Sequence, residues 1–258
     1  MRLRFLGTGT SFGVPVVGCS CAVCTSSDPR NSRSRHCLLL EDRGAALLVD
    51  TPPELRLQLL DAAVSRIDAV FLTHMHADHL HGIDDLRIFS LRSGAPLPMY
   101  VADEFAGILR GRFDYIFDDE NEREPYTSAP EIDLRTFTAG DELEIAGLRL
   151  TPLVFPHGRM NSYGFRCGDL AVIVDGKNIP DESRAALQGI DTLVINALWW
   201  GDPHPTHFNV EEAVAAARSV GARRTFLTHL THRLDYSDLA ARLPAGVEPA
   251  HDGLVVDV

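Results

Sequence analysis

The residues His74-Met75-His76-Ala77-Asp78-His79 follow directly on the apolar run Asp68-Ala69-Val70-Phe71-Leu72-Thr73. Imidazole and carboxylate are ligands for divalent transition metals, and four such groups fall within six residues. No single regular element serves all four. Helical neighbours sit at i, i+3 and i+4, a rule that His74 and His76 break. Strand neighbours sit at i, i+2 and i+4, which turns His79 away. The spacing predicts a tight loop at the C-terminal end of a buried strand, turning two ligand sets towards two ions.

The chain has 258 residues, enough for a sizeable core, and we expect one α/β domain over 1–258. No apolar run approaches the roughly 20 residues needed to span a bilayer. The start, Met1-Arg2-Leu3-Arg4-Phe5-Leu6-Gly7, reads as a short amphipathic strand and not a signal peptide. The expectation is a cytoplasmic protein. A net charge of −12 argues against broad nucleic-acid or anionic-membrane binding. It leaves an anionic substrate open, because bound cations reverse the local potential.

Short β-rich runs fall at 3–6, 37–40, 46–50, 69–73, 97–101, 148–155, 162–167, 171–175, 192–197, 225–228 and 253–258. Helical patterns lie between them at 53–63, 83–91, 103–112, 181–187, 210–220 and 236–243. Many strands are nearly continuous apolar runs, as expected when both faces are covered. Residues 114–131 are acidic and weakly periodic and read as an excursion loop. Further candidate ligands stand where strands end: His157 after 150–156, Asp175 after 170–174 and His229 after 225–228. Layered α/β folds assemble sites from such positions on one rim.

With these residues in place, the chain resembles the metallo-β-lactamase superfamily, from its first strand to Thr228-His229-Leu230-Thr231-His232. The resemblance implies an αββα four-layer sandwich. It assigns His74, His76 and His157 to one metal, Asp78, His79 and His229 to a second, and Asp175 to both. Asp50 matches a strand-end carboxylate that supports the ligands from behind. Two divalent cations with two carboxylates and a bridging hydroxide carry a net charge of about +1, a seat for a phosphate ester. Such a hydroxide, available near neutral pH, attacks phosphorus in line. His/Asp ligands accept zinc, manganese and iron alike.

Cys19-Ser20-Cys21-Ala22-Val23-Cys24 adds three thiolates at C-x-C-x2-C spacing. A closed structural zinc needs a fourth ligand, and His232, three residues after His229, is the natural choice. A reducing compartment leaves clustered thiols little other use. This 19–24 insert, His232, Gly7-Thr8-Gly9-Thr10-Ser11-Phe12-Gly13-Val14-Pro15 and Leu80-His81-Gly82-Ile83-Asp84-Asp85-Leu86-Arg87 are similar to the PhnP-like phosphoribosyl cyclic phosphodiesterase group. The glycine-rich opening is not a dinucleotide fingerprint, since Pro15 and the cysteines stand where a helix should begin.

The resemblance also places a non-ligand histidine at His207, ahead of a helix whose N-cap is read as Asn209. Its implied role is to bind phosphate and protonate the leaving alkoxide, with His204 as the alternative. Arg159, Ser162 and Lys177 flank the ligands and read as solvated loop residues or phosphate contacts. His36, His81 and His251 read as surface residues or supports behind the ligands, and Cys37 and Cys167 as core.

The expected function is a metal-dependent phosphodiesterase acting on a small or cyclic phosphate ester, with two catalytic ions (zinc or manganese) and one structural zinc. A tRNA 3′-processing endonuclease, a thioester hydrolase and a pyrroloquinoline quinone biosynthesis accessory protein are the competing readings. The endonuclease needs a basic arm, whereas 114–131 is acidic. A homodimer is implied by the resemblance alone.

Overall fold

The computed structural model describes residues 1–117 and 128–258. The first half lays down β1 (Arg2–Gly7), β2 (Cys37–Asp42), β3 (Ala45–Val49), β4 (Ala69–Phe71), β5 (Leu97–Ala102) and β6 (Ile132–Phe137). The second half adds β7 (Leu143–Ile145), β8 (Leu148–His157), β9 (Met160–Cys167), β10 (Leu170–Ile173), β11 (Thr192–Asn196), β12 (Arg224–Thr228) and β13 (Val247–Pro249). A last strand, β14 (Val255–Asp257), returns to pair with β1. The helices are α1 (Leu55–Asp61), α2 (Ala77–Leu80), α3 (Arg87–Ser93), α4 (Asp103–Arg112), α5 (Asp114–Phe117), α6 (Asp181–Leu187), α7 (Val210–Val220) and α8 (Tyr236–Arg242).

The strands form two seven-stranded sheets, ordered β14-β1-β2-β3-β4-β5-β6 and β13-β12-β11-β10-β9-β8-β7. Each is antiparallel at one end and parallel at the other: β3 to β6 run parallel in the first, β10 to β13 in the second. Side chains alternate between faces along a strand. Val172, Val194 and Phe226 therefore join the core shared with the first sheet, while Ala171, Ile173, Leu193, Ile195 and Leu227 pack outward. Aromatic pairs stitch the sheets together: Phe5 to Phe226 at 5.7 Å and Phe71 to Phe165 at 5.2 Å between centroids.

Outside the second sheet lies α7, whose Val210, Ala213, Val214, Ala217 and Val220 fill one face at helical spacing. Asn209 caps it as expected. Its side chain accepts from Glu212 N at 2.8 Å, and Glu212 returns the bond to Asn209 N at 2.9 Å. The result is the αββα sandwich.

Three strands, β6, β7 and β13, were not expected from the sequence. Charged or short, they lie towards the edges of their sheets, where packing supplies little apolar signal. The acidic stretch 114–131 begins as α5 and ends against β6; residues 118–127 of it lie outside the described residues. Among the described residues no helix is long and apolar enough to cross a membrane.

The opening glycines serve close packing. A Cβ on Gly7 would meet Arg35 O at 2.0 Å, and one on Gly9 would meet Arg33 O at 2.6 Å. Between them, Thr8 O accepts from Leu230 N at 2.8 Å, tying this segment to the chain that leaves β12.

Candidate metal centre

The candidate ligands sit on one rim, at or just beyond the C-terminal ends of β4, β8, β10 and β12. After β4 stops at Phe71, residues 74–76 run without regular structure, as the loop expectation requires. The second part of the hexad corrects it: Ala77–Leu80 is one turn of helix, α2. That turn brings Asp78 and His79 to the second ligand set. His157 is likewise not in a following loop; it is the last residue of β8, paired with Met160 at a hairpin tip. Asp175 lies two residues beyond β10, and His229 immediately follows β12 in the left-handed region, with φ 57°.

These residues converge as two overlapping groups. His74 Nε2 lies 3.0 Å from His76 Nδ1, and His157 Nε2 lies 3.2 Å from the same atom. Asp175 Oδ2 faces both, at 3.7 Å from His74 Nε2 and 3.5 Å from His157 Nε2. In the second group His79 Nε2 is 3.4 Å from Asp78 Oδ2, and His229 Nε2 is 4.0 Å from that oxygen. Asp175 reaches this group too, at 3.7 Å from His79 and 3.3 Å from His229.

Partners behind the rings fix which nitrogen faces inward. Asp50, itself at φ 67°, accepts from Thr73 N at 2.8 Å and Thr73 Oγ1 at 2.9 Å, and faces His79 Nδ1 at 2.7 Å. Thr73 Oγ1 in turn lies 3.0 Å from His74 Nδ1. One carboxylate thus orients a ring in each group. His157 Nδ1 faces the carbonyl of Thr206 at 3.1 Å. Holding Nδ1–H in this way leaves Nε2 free as a ligand.

The electrostatics suit cations. Burial pushes the imidazole of His74 well below its ordinary pKa, lowers those of His76 and His157, and takes His229 to about 3. Their lone pairs are therefore available. At His79 burial alone would do the same, but Asp175, Asp50 and Asp78 outweigh it and hold a proton well above the usual range. The field that favours that proton favours a metal ion in its place. His79 Nε2, Asp175 Oδ1 and both ring nitrogens of His229 are buried without a hydrogen-bond partner among the described residues. Two nitrogens on one tetrahedral zinc sit about 3.3 Å apart, close to the His74–His76–His157 spacings. The residues fit divalent metal.

The cysteine cluster fits equally well. His232 Nδ1 lies 3.4, 3.5 and 3.6 Å from the sulfurs of Cys19, Cys21 and Cys24. A thiolate and an imidazole on one tetrahedral zinc are separated by about 3.6 Å. Backbone N–H groups of Cys24 and Val16 point at Cys21 Sγ and Cys24 Sγ. The Cys24 N–H bond, against burial, lowers the Cys21 thiol to about 6.

A cleft of about 380 Å³ opens over the first cluster, lined by His76, Asp78, His207, Arg159, Ser11 and Thr206 among others. His207 Nε2 is 3.1 Å from Asp175 Oδ2, while its Nδ1 lies 2.9 Å from Thr206 Oγ1. His204 sits behind it, with Nδ1 3.3 Å from His207 Nδ1 and its ring against Trp199. Lys177 is drawn to Glu212 at 2.6 Å, and Ser162 is buried, so neither lines the cleft. Thr73 and Thr206 were not singled out as site residues in the sequence, and His36, read there as a surface residue or a support behind the ligands, is buried. A Thr immediately before the hexad was the one visible signal.

Two stacked sheets with His/Asp clusters gathered at one rim define the metallo-β-lactamase fold with a candidate metal centre. The chain belongs to the beta-lactamase superfamily, whose domain model matches residues 46–230, and within it is PhnP-like. A solved diphosphatase of the PhnP family is similar over 100% of this chain and 97% of its own, at 36% identity and a TM-score of 0.90. The chain is also 35% identical to an octanoyltransferase of Porphyromonas gingivalis over 98% of its length, and 32% identical to a ribonuclease Z of Anoxybacillus flavithermus over 72%. It spans about half the length of these two curated relatives, 51% and 53%.

Proposed function

We propose that this chain is a phosphodiesterase that hydrolyses a small or cyclic phosphate ester at a pair of divalent ions, zinc or manganese, with a structural zinc on Cys19, Cys21, Cys24 and His232. The observation that carries the reading is His207. It stands at the edge of the two ligand groups, with Nε2 at Asp175 and Nδ1 backed by Thr206. The similar diphosphatase, which also acts on phosphate, points the same way.

The ions held by His74, His76, His157, Asp175, Asp78, His79 and His229 would supply Lewis acidity at the phosphoryl oxygens and acidify water at neutral pH. The rest falls to the chain. Asp50 and Thr73 hold His79 and His74 in one tautomer. His207 keeps a proton on Nε2 at the cleft and passes it to the leaving alkoxide. His204 lies one ring further back and serves as the alternative acid. Arg159, rooted two residues from His157 at the hairpin tip, lines the cleft with no hydrogen bond or ion pair among the described residues. A guanidinium on this lining residue would supply charge-assisted hydrogen bonds to a phosphate oxygen.

A nuclease acting on tRNA ends is the second reading, supported by the similarity to ribonuclease Z. The net charge of −12 opposes it. The transferase activity named for the Porphyromonas protein is not proposed, since this chain spans only half of that protein. Thiols arranged as zinc ligands support a reducing, cytoplasmic setting; a homodimer rests on family resemblance. Turnover of bis-aryl phosphate, cyclic ribosyl phosphate, a cyclic nucleotide and a thioester by metal-loaded protein tests the reading. Thioester turnover without diester turnover would refute it.

A further inference from the structure

His36 is completely enclosed beside the ligand groups, 1% exposed, and neither of its ring nitrogens has a hydrogen-bond partner among the described residues. A buried polar group left dry needs a reason, since an apolar side chain of similar shape would fill the space more favourably. The surroundings supply one. The antiparallel register of β2 on β3, with Leu38 opposite Val49, carries His36 and Cys37 to Asp50. There His36 Nδ1 lies 3.7 Å from Asp50 Oδ2, and its ring stacks on His79 with centroids 5.9 Å apart and planes inclined by 28°. At that distance the N–H is a dipole aimed at the carboxylate and not a hydrogen bond.

Asp50 is the group through which this contact matters. It touches His79 of one ligand set directly and His74 of the other through Thr73. Its carboxylate is wholly buried, and its backbone is in the strained left-handed region at φ 67°. A carboxylate in that setting swings or loses its charge unless its neighbours define it. Thr73 and His79 define it by hydrogen bonds, and His36 adds a third polar side chain near the oxygen, Oδ2, that His79 Nδ1 and Thr73 Oγ1 meet.

We propose that His36 is a positioning residue of the metal centre: its Nδ1–H backs the Asp50 carboxylate and its ring face fixes the plane of His79, so that His79 Nε2 stays aimed at the ion shared with Asp78 and His229. The inference rests on the proposed ligand set and not on the identity of the substrate. Two substitutions separate positioning from packing. His36→Phe keeps the ring and the stack but removes the N–H. His36→Asn places an amide N–H near the Nδ1 position without the ring.

The test is competitive zinc titration of metal-stripped protein against a chelator, with metal per chain counted, alongside thermal unfolding of the metal-free forms. The expected result is a loss of about ten- to hundredfold in affinity for the most weakly held ion in His36→Phe. The Asn variant should recover part of that loss, and the metal-free Phe variant should unfold no earlier than the parent. Parent-like affinity in the Phe variant overturns the proposal, as does a fall in metal-free stability that accounts for the whole change. Failure of the unsubstituted protein to take up a divalent ion on the His/Asp sets would instead refute the ligand assignment, so the two failures are distinguishable.

Discussion

His229 and His232 stand three residues apart on one segment and face different clusters, the first 3.3 Å from Asp175 Oδ1 and the second within 3.6 Å of three cysteine sulfurs. Between them Leu230 N is bonded to Thr8 O, and Arg33 Nη1 donates to Thr231 O at 2.8 Å. Whatever holds His232 therefore helps to hold His229. His232→Ala should lose about one zinc per chain. It should also lower diester turnover roughly tenfold by loosening His229. Elemental analysis and kinetics on the same sample check both; full activity with the zinc gone would separate the clusters.

The acid role proposed for His207 makes leaving-group dependence the informative readout. His207→Ala should lower turnover of alkyl esters by about 10²–10⁴-fold. Activated aryl esters, whose leaving group needs no proton, should lose far less. Equal losses on both would remove His207 from the acid step.

Asp50→Asn keeps the shape of the carboxylate but turns an N–H₂ towards groups that themselves donate. One of the bonds to Thr73 or His79 must then be lost, at about 1–3 kcal/mol for a buried partner left unpaired. Because Asp50 serves His79 directly and His74 through Thr73, both sets should weaken, by about ten- to hundredfold in metal affinity. Metal titration reads this directly, and affinity unchanged at both sets would contradict it.

Tyr163 joins the site to the helix layer, since its N–H donates to Thr73 O at 2.8 Å and its hydroxyl to Glu104 Oε1 at 2.6 Å. Burial, and then the bond to Glu104, raise the phenol above its ordinary pKa. The folded value exceeds the unfolded one, so this contribution to stability is full below about pH 10 and is lost as pH climbs through the folded value. Tyr163→Phe should abolish the last phase of an alkaline ultraviolet titration. The stability gap between variant and parent should hold up to about pH 10 and close above it. A gap that widens with pH would reverse the sign of the argument.

Much of the site was legible because metal ligands must be particular residue types at strand ends, and such residues stand out against apolar runs. His74, His76, Asp78, His79, His157, Asp175 and His229 all come together, as do Cys19, Cys21, Cys24 and His232. The strands buried on both faces were equally visible. β6, with Asp133 and Arg135 paired at its surface, was not, because sheet pairing and not side-chain pattern makes it a strand. Nor was α2, where four residues give no period to detect. Thr73 and Thr206 do their part through geometry between distant segments. Nothing in their local sequence distinguishes a threonine that bridges two ligands from one that merely ends a strand.

The central claim, a phosphodiesterase built on two catalytic ions and one structural zinc, is tested most directly by counting metal and turnover together on one sample. Two occupied His/Asp sets and one cysteine-bound zinc give about three ions per chain. The same sample should hydrolyse bis-aryl or cyclic phosphate, with activity abolished by chelation and restored by zinc or manganese. A single ion per chain, or metal-dependent thioester turnover with no diester hydrolysis, would contradict it.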